Sequence, residues 1–550
     1  MKKTFKYIYS AAVVAALALT ASSCTDSMDT EPQGSTVTKE KMDQNASSLD
    51  GLVKGMYSNM IEAEAITSWA GSTYHFDFGY ASTMMMMDNA GEDEVSPNTG
   101  YNWYRNNLRF NDRTDKSPIT YFLWNQQYKN IKQANSILSA TTNTYKDNSV
   151  AAAARGKALA MRAFCYLNLA QMYQFTYKGH EDALCVPIVK ETTTEEQASD
   201  NPRASVKDVY DFIMDDLNNA VTLLDGVSRS SHGDIDQQVA YGLRARAELI
   251  MQNWKAAAED AAKAAEGFTP LSISEAANPG FNEISASNWI WGMDVNETSD
   301  IVQTGILNFP SMMCSFTGNG YSPMYASRCI NSKLWKEIPS TDVRKGWWLD
   351  ENLHSPIVNT NFVKDEIAVD KKTGEETPYV AVFNKSGDEV IDWTDPYLNV
   401  KFGPYQDAYG NETNACDVPL MRVEEMILIQ AEATAMSGDV AGGKKILEDF
   451  VRTYRDPDYT CNATTAEGVQ DAVWFQRRVE LWGEGFSYFD IMRLKKPIDR
   501  RGANYESSVT YNIPAESKIM LWIIPEDEVN NNKALQGKNN EIVAVPTPVK

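Results

Sequence analysis

Two pairs of alanine-rich helical stripes, far apart in the chain, constrain this sequence more than any other feature. Val239 to Gln252 and Trp254 to Glu266 form the first pair, and Arg422 to Met436 and Val440 to Tyr454 the second, split by a Ser437-Gly438-Asp439 turn. Small residues recur where two helices must approach closely, and each pair has close to the length of a tetratricopeptide repeat. Other stripes of helical period run through Leu52, Met56 and Met60, through Trp124, Tyr128, Ile131 and Leu138, and through Leu159, Ala163, Tyr166, Ala170 and Tyr173. A further one, Val209, Ile213 and Leu217, follows Ser205 and Asp208, which are spaced as a capping box. From about 269 to 418 the period stops, and Gly, Asn, Pro and aromatics take over. So long an aperiodic stretch is rarely structureless in a compact protein. The expected fold is mainly α: a tetratricopeptide-like helical-repeat scaffold over about 46–268 and 419–550, bearing an irregular, loop-rich lobe that carries the ligand site.

At the N-terminus, Lys2, Lys3 and Lys6 precede an apolar run from Ile8 to Leu19, too short for a permanent membrane span. The small residues Ala21, Ser22 and Ser23 then lead to Cys24. This looks like a bacterial lipobox, so residues 1–23 read as a lipoprotein signal and Cys24 as the lipidation site, with an ordinary secreted protein as the alternative. Residues 24–45 are too polar to pack and read as a flexible tether. Its acidic start, with Asp26, Asp29 and Glu31, resembles the surface-export signal of Bacteroidetes lipoproteins.

A formal net charge of -23 repels polyanions, so nucleic acid is not an expected partner. The other cysteines (Cys165, Cys185, Cys314, Cys329, Cys416, Cys461) are spaced too irregularly for a zinc motif, and their pairing stays open. Cys165 lies within a helical stripe and reads as a buried thiol. His75, His180, His232 and His354 are scattered without an HExxH motif, and neither a phosphate loop nor a dinucleotide fingerprint occurs. No cofactor or metal site is expected. Asp88, Glu92, Asp93 and Glu94 could supply a glycosidase carboxylate pair or calcium ligands, but the plainer reading is a solvated acidic loop.

A sugar ring stacks its C–H faces on Trp or Tyr, while its hydroxyls need amide or charged partners. One aromatic cluster holds Trp69, Tyr74, Phe76, Tyr80, Tyr101, Trp103 and Tyr104, interleaved with Asn102, Asn106 and Asn107; the other holds Trp289, Trp291, Tyr321 and Tyr325. For each single aromatic the competing role is core packing, which is the expected place of Trp335, Trp347 and Trp348. Arg105, Arg109 and Arg113 lie four apart, and on a helix would share one face able to receive a carboxylate or sulfate. The plainer alternative is pairing with Asp112 or Asp115.

Several blocks together carry a family resemblance over nearly the whole chain. Trp124, Tyr128, Ile131, Ala134 and Asn135 form one, and Gly156, Arg162, Ala163, Tyr166, Leu169 and Tyr173 with Val186-Pro187 a second. Arg422, Glu425, Leu428 and Ala431-Glu432-Ala433 form a third, and Arg477, Arg478, Glu480, Leu481, Glu484-Gly485, Phe489, Asp490 and Arg493 a fourth. Ile524-Pro525, Glu528 and Asn532 close the set. In order and spacing the chain resembles the SusD/RagB family of nutrient-binding lipoproteins. Gln476 and Ser487 depart from the family's usual Glu and Arg, which is expected to weaken a local ion-pair network.

The resemblance implies a lipid-anchored protein at the cell surface, on the outer membrane, with no enzymatic activity and no cofactor. Its implied role is to capture oligosaccharide and deliver it to a TonB-dependent, SusC-like outer-membrane transporter. In SusD-like proteins the two stretches corresponding to the aromatic clusters form a binding platform. That places Trp103 and Trp291 first among the expected glycan-binding residues, with Tyr101, Asn106, Arg105, Trp289, Tyr321 and Tyr325 beside them. Peptide capture by the same architecture, a surface glycoside hydrolase and a protein-only adaptor stay open as alternatives.

Overall fold

Helices form where the apolar stripes run, and side chains of the neighbouring residues cap them. The computed structural model describes residues 46–63, 74–97, 102–322 and 326–549. The expected signal, Cys24 and the tether lie outside the described residues, as do Trp69, Tyr101 and Tyr325. The first elements are α1 (Ala46–Ser58), α2 (Tyr80–Ala90), β1 (Glu94–Val95), α3 (Pro118–Thr141) and α4 (Ser149–Tyr173). They are followed by α5 (Val206–Leu223), α6 (Gln237–Met251) and α7 (Trp254–Ala265). At α4 the Asn148 side chain accepts from the N–H groups of Val150 and Ala151, satisfying donors that a helix start leaves open. At α5 the Ser205 hydroxyl oxygen accepts from Asp208 N–H, while the hydroxyl itself donates to the Asp208 carboxylate. The serine cap thus forms, but the capping box read from the sequence does not, because the Asp208 carboxylate takes the serine hydroxyl instead of Ser205 N–H.

After α7 the chain enters the lobe, with β2 (Trp289–Met293), β3 (Cys329–Ile330), β4 (Val363–Val369), β5 (Glu376–Phe383) and β6 (Glu389–Trp393). β4, β5 and β6 form an antiparallel sheet in that order, with Val363 opposite Val382 and Val380 opposite Trp393. The chain returns through β7 (Val418–Arg422) into α8 (Val423–Met436), α9 (Val440–Tyr454) and α10 (Ala466–Glu480). β7 pairs antiparallel with β2, Trp289 opposite Arg422 and Met293 opposite Val418, so the two ends of the lobe are stitched together.

The sequence-distant helix pairs form one continuous stack: α3 packs on α4, α4 on α5, α5 on α6, α6 on α7, α7 on α8, and α8 on both α9 and α10. Between α8 and α9 Gly438 adopts φ 108°, a conformation only glycine holds without strain, and the Asp439 side chain caps the N–H of Gly442. A Cβ on Gly443 would stand 2.5 Å from the Ala431 carbonyl oxygen, so the small residues are what let these two helices touch. The protein is mainly helical, as its periodicity implied.

Beneath the lobe lies a buried charge cluster. Arg422 donates to Glu484 at 2.8 Å and to Glu480 at 3.0 Å; Arg455 reaches Glu480 at 2.7 Å and Glu424 at 3.0 Å. Arg344 pairs with Asp342 at 2.6 Å and Glu480 at 3.2 Å, and Lys401 with Glu484 at 2.6 Å. Buried ions persist only when paired and hydrogen-bonded. Burial opposes the charge on Glu480, but Arg455, Arg422 and Arg344 overcome it and hold its carboxyl well below the usual range. Gln476 gives Arg344 a neutral oxygen. The cations Arg344, Lys401, Arg422 and Arg455 are already balanced by Asp342, Glu424, Glu480 and Glu484, so the glutamine does not weaken the network as expected. Ser487 likewise fits its place, donating from N–H to Asp88 and from Oγ to Asp93, each at 3.1 Å.

Candidate functional site

The segment after residue 101 alternates between core and surface because its amides pin it. The Asn102 side chain accepts from Tyr104 N–H at 2.9 Å, an Asx turn, and donates to Ser96 Oγ at 3.0 Å. Tyr104 points inward, its hydroxyl 2.8 Å from Ser82 Oγ, and Asn107 is held between Asn89 and Asp112. Trp103 is thereby left half-buried, with Arg105 and Asn106 exposed on a single helical turn, Arg105–Leu108. These three residues, with Tyr74, Phe76 and Asn102, line a cleft of about 280 Å³. Its other wall is the start of α3: Ser117, Pro118 and Ile119.

His75 stacks on Trp103, with ring centroids 4.3 Å apart and planes at 25°, and its Nδ1 meets the hydroxyl of Tyr321. Tyr321 is itself buried, so it supports Trp103 through His75. Burial holds His75 below its usual value, which leaves its ring neutral at pH 7.

The expectation of a platform shared with the second cluster is corrected. Trp289 and Trp291 are 0% and 1% exposed, within the β2–β7 pairing, and Trp291 packs edge-on against Phe164 of α4 at 5.1 Å. No open face remains on either indole, and both belong to the core. Trp347 and Trp348 are buried as expected, whereas Trp335 is half-buried. A groove of about 590 Å³ touches Trp291, and Asp234 on its lining is bound by Tyr57 and Lys157, each at 2.6 Å.

The arginines do not share a face either, because the helical turn ends at Leu108. Arg109 turns to Ser508 and Glu506, while Arg113 is buried between Asp112, at 2.6 Å, and the ring of Trp522. Only Arg105 of the three reaches the cleft.

Asp88, Glu92, Asp93 and Glu94 are buried, so the solvated-loop reading is corrected as well. Asp88 accepts from the N–H groups of Gly485 and Ser487, and Arg478 bridges Asp93 at 2.6 Å and Glu92 at 3.0 Å. None of the four lines the cleft. Among the described residues no group of His, Cys, Asp or Glu is placed to hold a metal ion. Cys165 is a buried free thiol, as expected, and Cys185, Cys314, Cys329, Cys416 and Cys461 are also buried and free.

Glu94 faces Arg328 at 3.5 Å, and Arg328 in turn donates to Asn102 of the cleft at 3.4 Å. Burial outweighs Arg328 and pushes the Glu94 carboxyl up to about 7 from its ordinary 4.5. The folded state therefore holds this proton more tightly than the unfolded chain, and the resulting stability is full below pH 4.5 and lost as pH rises through 7. Between those values the stability difference between wild type and Glu94→Gln is expected to change by about 3 kcal/mol. Urea unfolding of both proteins across this range measures it; a constant difference would remove the assignment.

Sequence reasoning passed over His75 and the Ser117-Pro118-Ile119 edge. The signals were there: His75 sits between Tyr74 and Phe76, and Ser-Pro is a common entry to a helix. Helix starts are read as scaffold, however, and nothing local says that this one opens on a cleft.

Two family models match the chain: one described as starch-binding associating with outer membrane, over residues 36–249, and one described as the SusD family, over residues 329–542. No curated protein matches it. Among solved structures, it is similar to a SusD-like carbohydrate binding protein from Bacteroides vulgatus at 22% identity and TM-score 0.72, covering 90% of this chain and 98% of that one. A SusD superfamily protein from Bacteroides thetaiotaomicron is similar at 17% identity and TM-score 0.69, covering 90% and 100%. At these identities the likeness is one of fold.

Proposed function

This chain belongs to the SusD family, and from that premise we propose that it is a cell-surface lipoprotein that captures oligosaccharide in the Trp103 cleft and passes it to a TonB-dependent, SusC-like transporter. The observation that carries this reading is a half-buried indole, stacked on His75, whose cleft also presents the exposed Arg105 and Asn106. An apolar ring face beside unspent polar groups is what a sugar needs. A non-catalytic role fits Asp88, Glu92 and Asp93, whose carboxylates are held by Arg478 and backbone N–H groups. No helix among the described residues is long and apolar enough to cross a membrane, and attachment is assigned to an acylated Cys24. The continuous helical stack offers the transporter a large rigid surface.

Calorimetry against a panel of oligosaccharides, with peptides as the contrast set and a reducing-end assay alongside, tests the reading. Trp103→Ala is expected to cost about 1 to 3 kcal/mol of glycan binding, about tenfold to a hundredfold in affinity, with the fold retained. Capture of peptides alone, or new reducing ends, would overturn it.

A further inference from the structure

The electrostatics of the cleft run against those of the chain. The protein carries a net charge of -23, yet among the described residues lining the cleft none is acidic and one, Arg105, is basic. Of the nearby charges, Lys116 pairs with Glu526 at 3.2 Å and Arg113 with Asp112 at 2.6 Å; Asp115 and Asp527 make no ion pair among the described residues, but neither lines the cleft. The Arg105 side chain has no such partner among the described residues. Opposite it stands the N-terminus of α3, a helix of 24 residues whose first N–H groups have no intrahelical acceptor. Ser117, at the cap position, makes no capping hydrogen bond and is only 8% exposed, although it lines the cleft. A cleft-lining hydroxyl with no protein partner at the positive end of a long helix is free to donate to an incoming group.

We infer that the Trp103 cleft is selective for glycans carrying a ring carboxylate or sulfate: Trp103 takes the sugar face, while Arg105 and the Ser117 end of α3 hold the anion. This rests on the reading of the cleft as a glycan site. The guanidinium fork matches both carboxylate and sulfate oxygens, and charge-assisted hydrogen bonds are about twice as strong as neutral ones. The acidic bulk of the protein does not cancel this local attraction, because at physiological ionic strength exposed charges are screened beyond about 8 Å.

An array of acidic oligosaccharides, each matched to its neutralised form, tests the inference on the whole mature protein. Oligogalacturonate against its methyl ester and sulfated against desulfated carrageenan fragments are two such pairs. For the recognised backbone, the acidic form is expected to bind about tenfold tighter or more than its neutral partner. Arg105→Gln should weaken the acidic form about tenfold more than the neutral form and so erase that preference. Ser117→Asp should weaken the acidic form more than the neutral one; it places a carboxylate in the cleft but also supplies the missing helix cap, so the unfolding midpoint should hold or rise. Equal affinity for both forms, or equal losses for both in Arg105→Gln, would overturn the selectivity and leave the glycan reading intact. An array on which no glycan binds, acidic or neutral, would remove the glycan reading itself.

Discussion

Trp291→Ala is expected to destabilise the fold by about 3 to 5 kcal/mol and to leave glycan affinity unchanged wherever the protein remains folded. The indole is 1% exposed and packed against Phe164, with Met421 its partner across the β2–β7 pairing. Truncation would open a cavity at the seam that closes the lobe on the helical stack, where strand pairing limits collapse. Chemical denaturation and calorimetry on the same variant separate the two roles, since a ligand-stacking tryptophan would lose binding first. Unchanged stability with lost binding would return Trp291 to the site.

Arg422→Met is expected to cost a similar amount, about 3 to 5 kcal/mol, although it adds apolar volume to a buried place. The guanidinium spans Glu484 and Glu480 and also donates to the Glu480 carbonyl. Without it Glu484 keeps Lys401 alone, and the four-to-four balance of buried charge becomes three cations against four anions. The urea midpoint of the variant, compared with that of Arg105→Gln on the surface, measures the effect. A midpoint close to wild type would mean that water or rearranged partners satisfy the carboxylates, and that the cluster is not needed for stability.

The same cluster explains why motifs far apart in the chain are individually weak signals. Arg422 opens one block of the family resemblance, and Glu480 and Glu484 belong to another; neither block states its purpose until the fold sets them within 3.0 Å. Their order and spacing could be recognised, but the ion pairs could not be derived. Gln476 shows the limit plainly. As a departure from the family pattern it suggested a weakened network, yet the charge balance around Arg344 requires no further anion.

By itself the sequence determined the helical stack, because a period of 3.6 residues, a capping residue and a turn are local facts. The alanines of α7, the Ser437-Gly438-Asp439 turn and the cap at Ser205 form as their chemistry demands. It also placed Trp103, Arg105 and Asn106 together, since one short segment supplies all three. Only the tertiary structure decided which aromatic cluster lies open to a cleft. Trp103 and Trp291 look alike in sequence, each an indole among polar and aromatic neighbours. Trp291 is buried because β7, distant in the chain, pairs with its strand, whereas Trp103 stays accessible because its Asx turn holds it at the rim of a cleft. The acidic run from Asp88 to Glu94 was decided in the same way. Its burial requires Arg328 and Arg478, which approach only once the stack closes, and the free energy of a buried carboxylate depends on the partners that folding brings within reach.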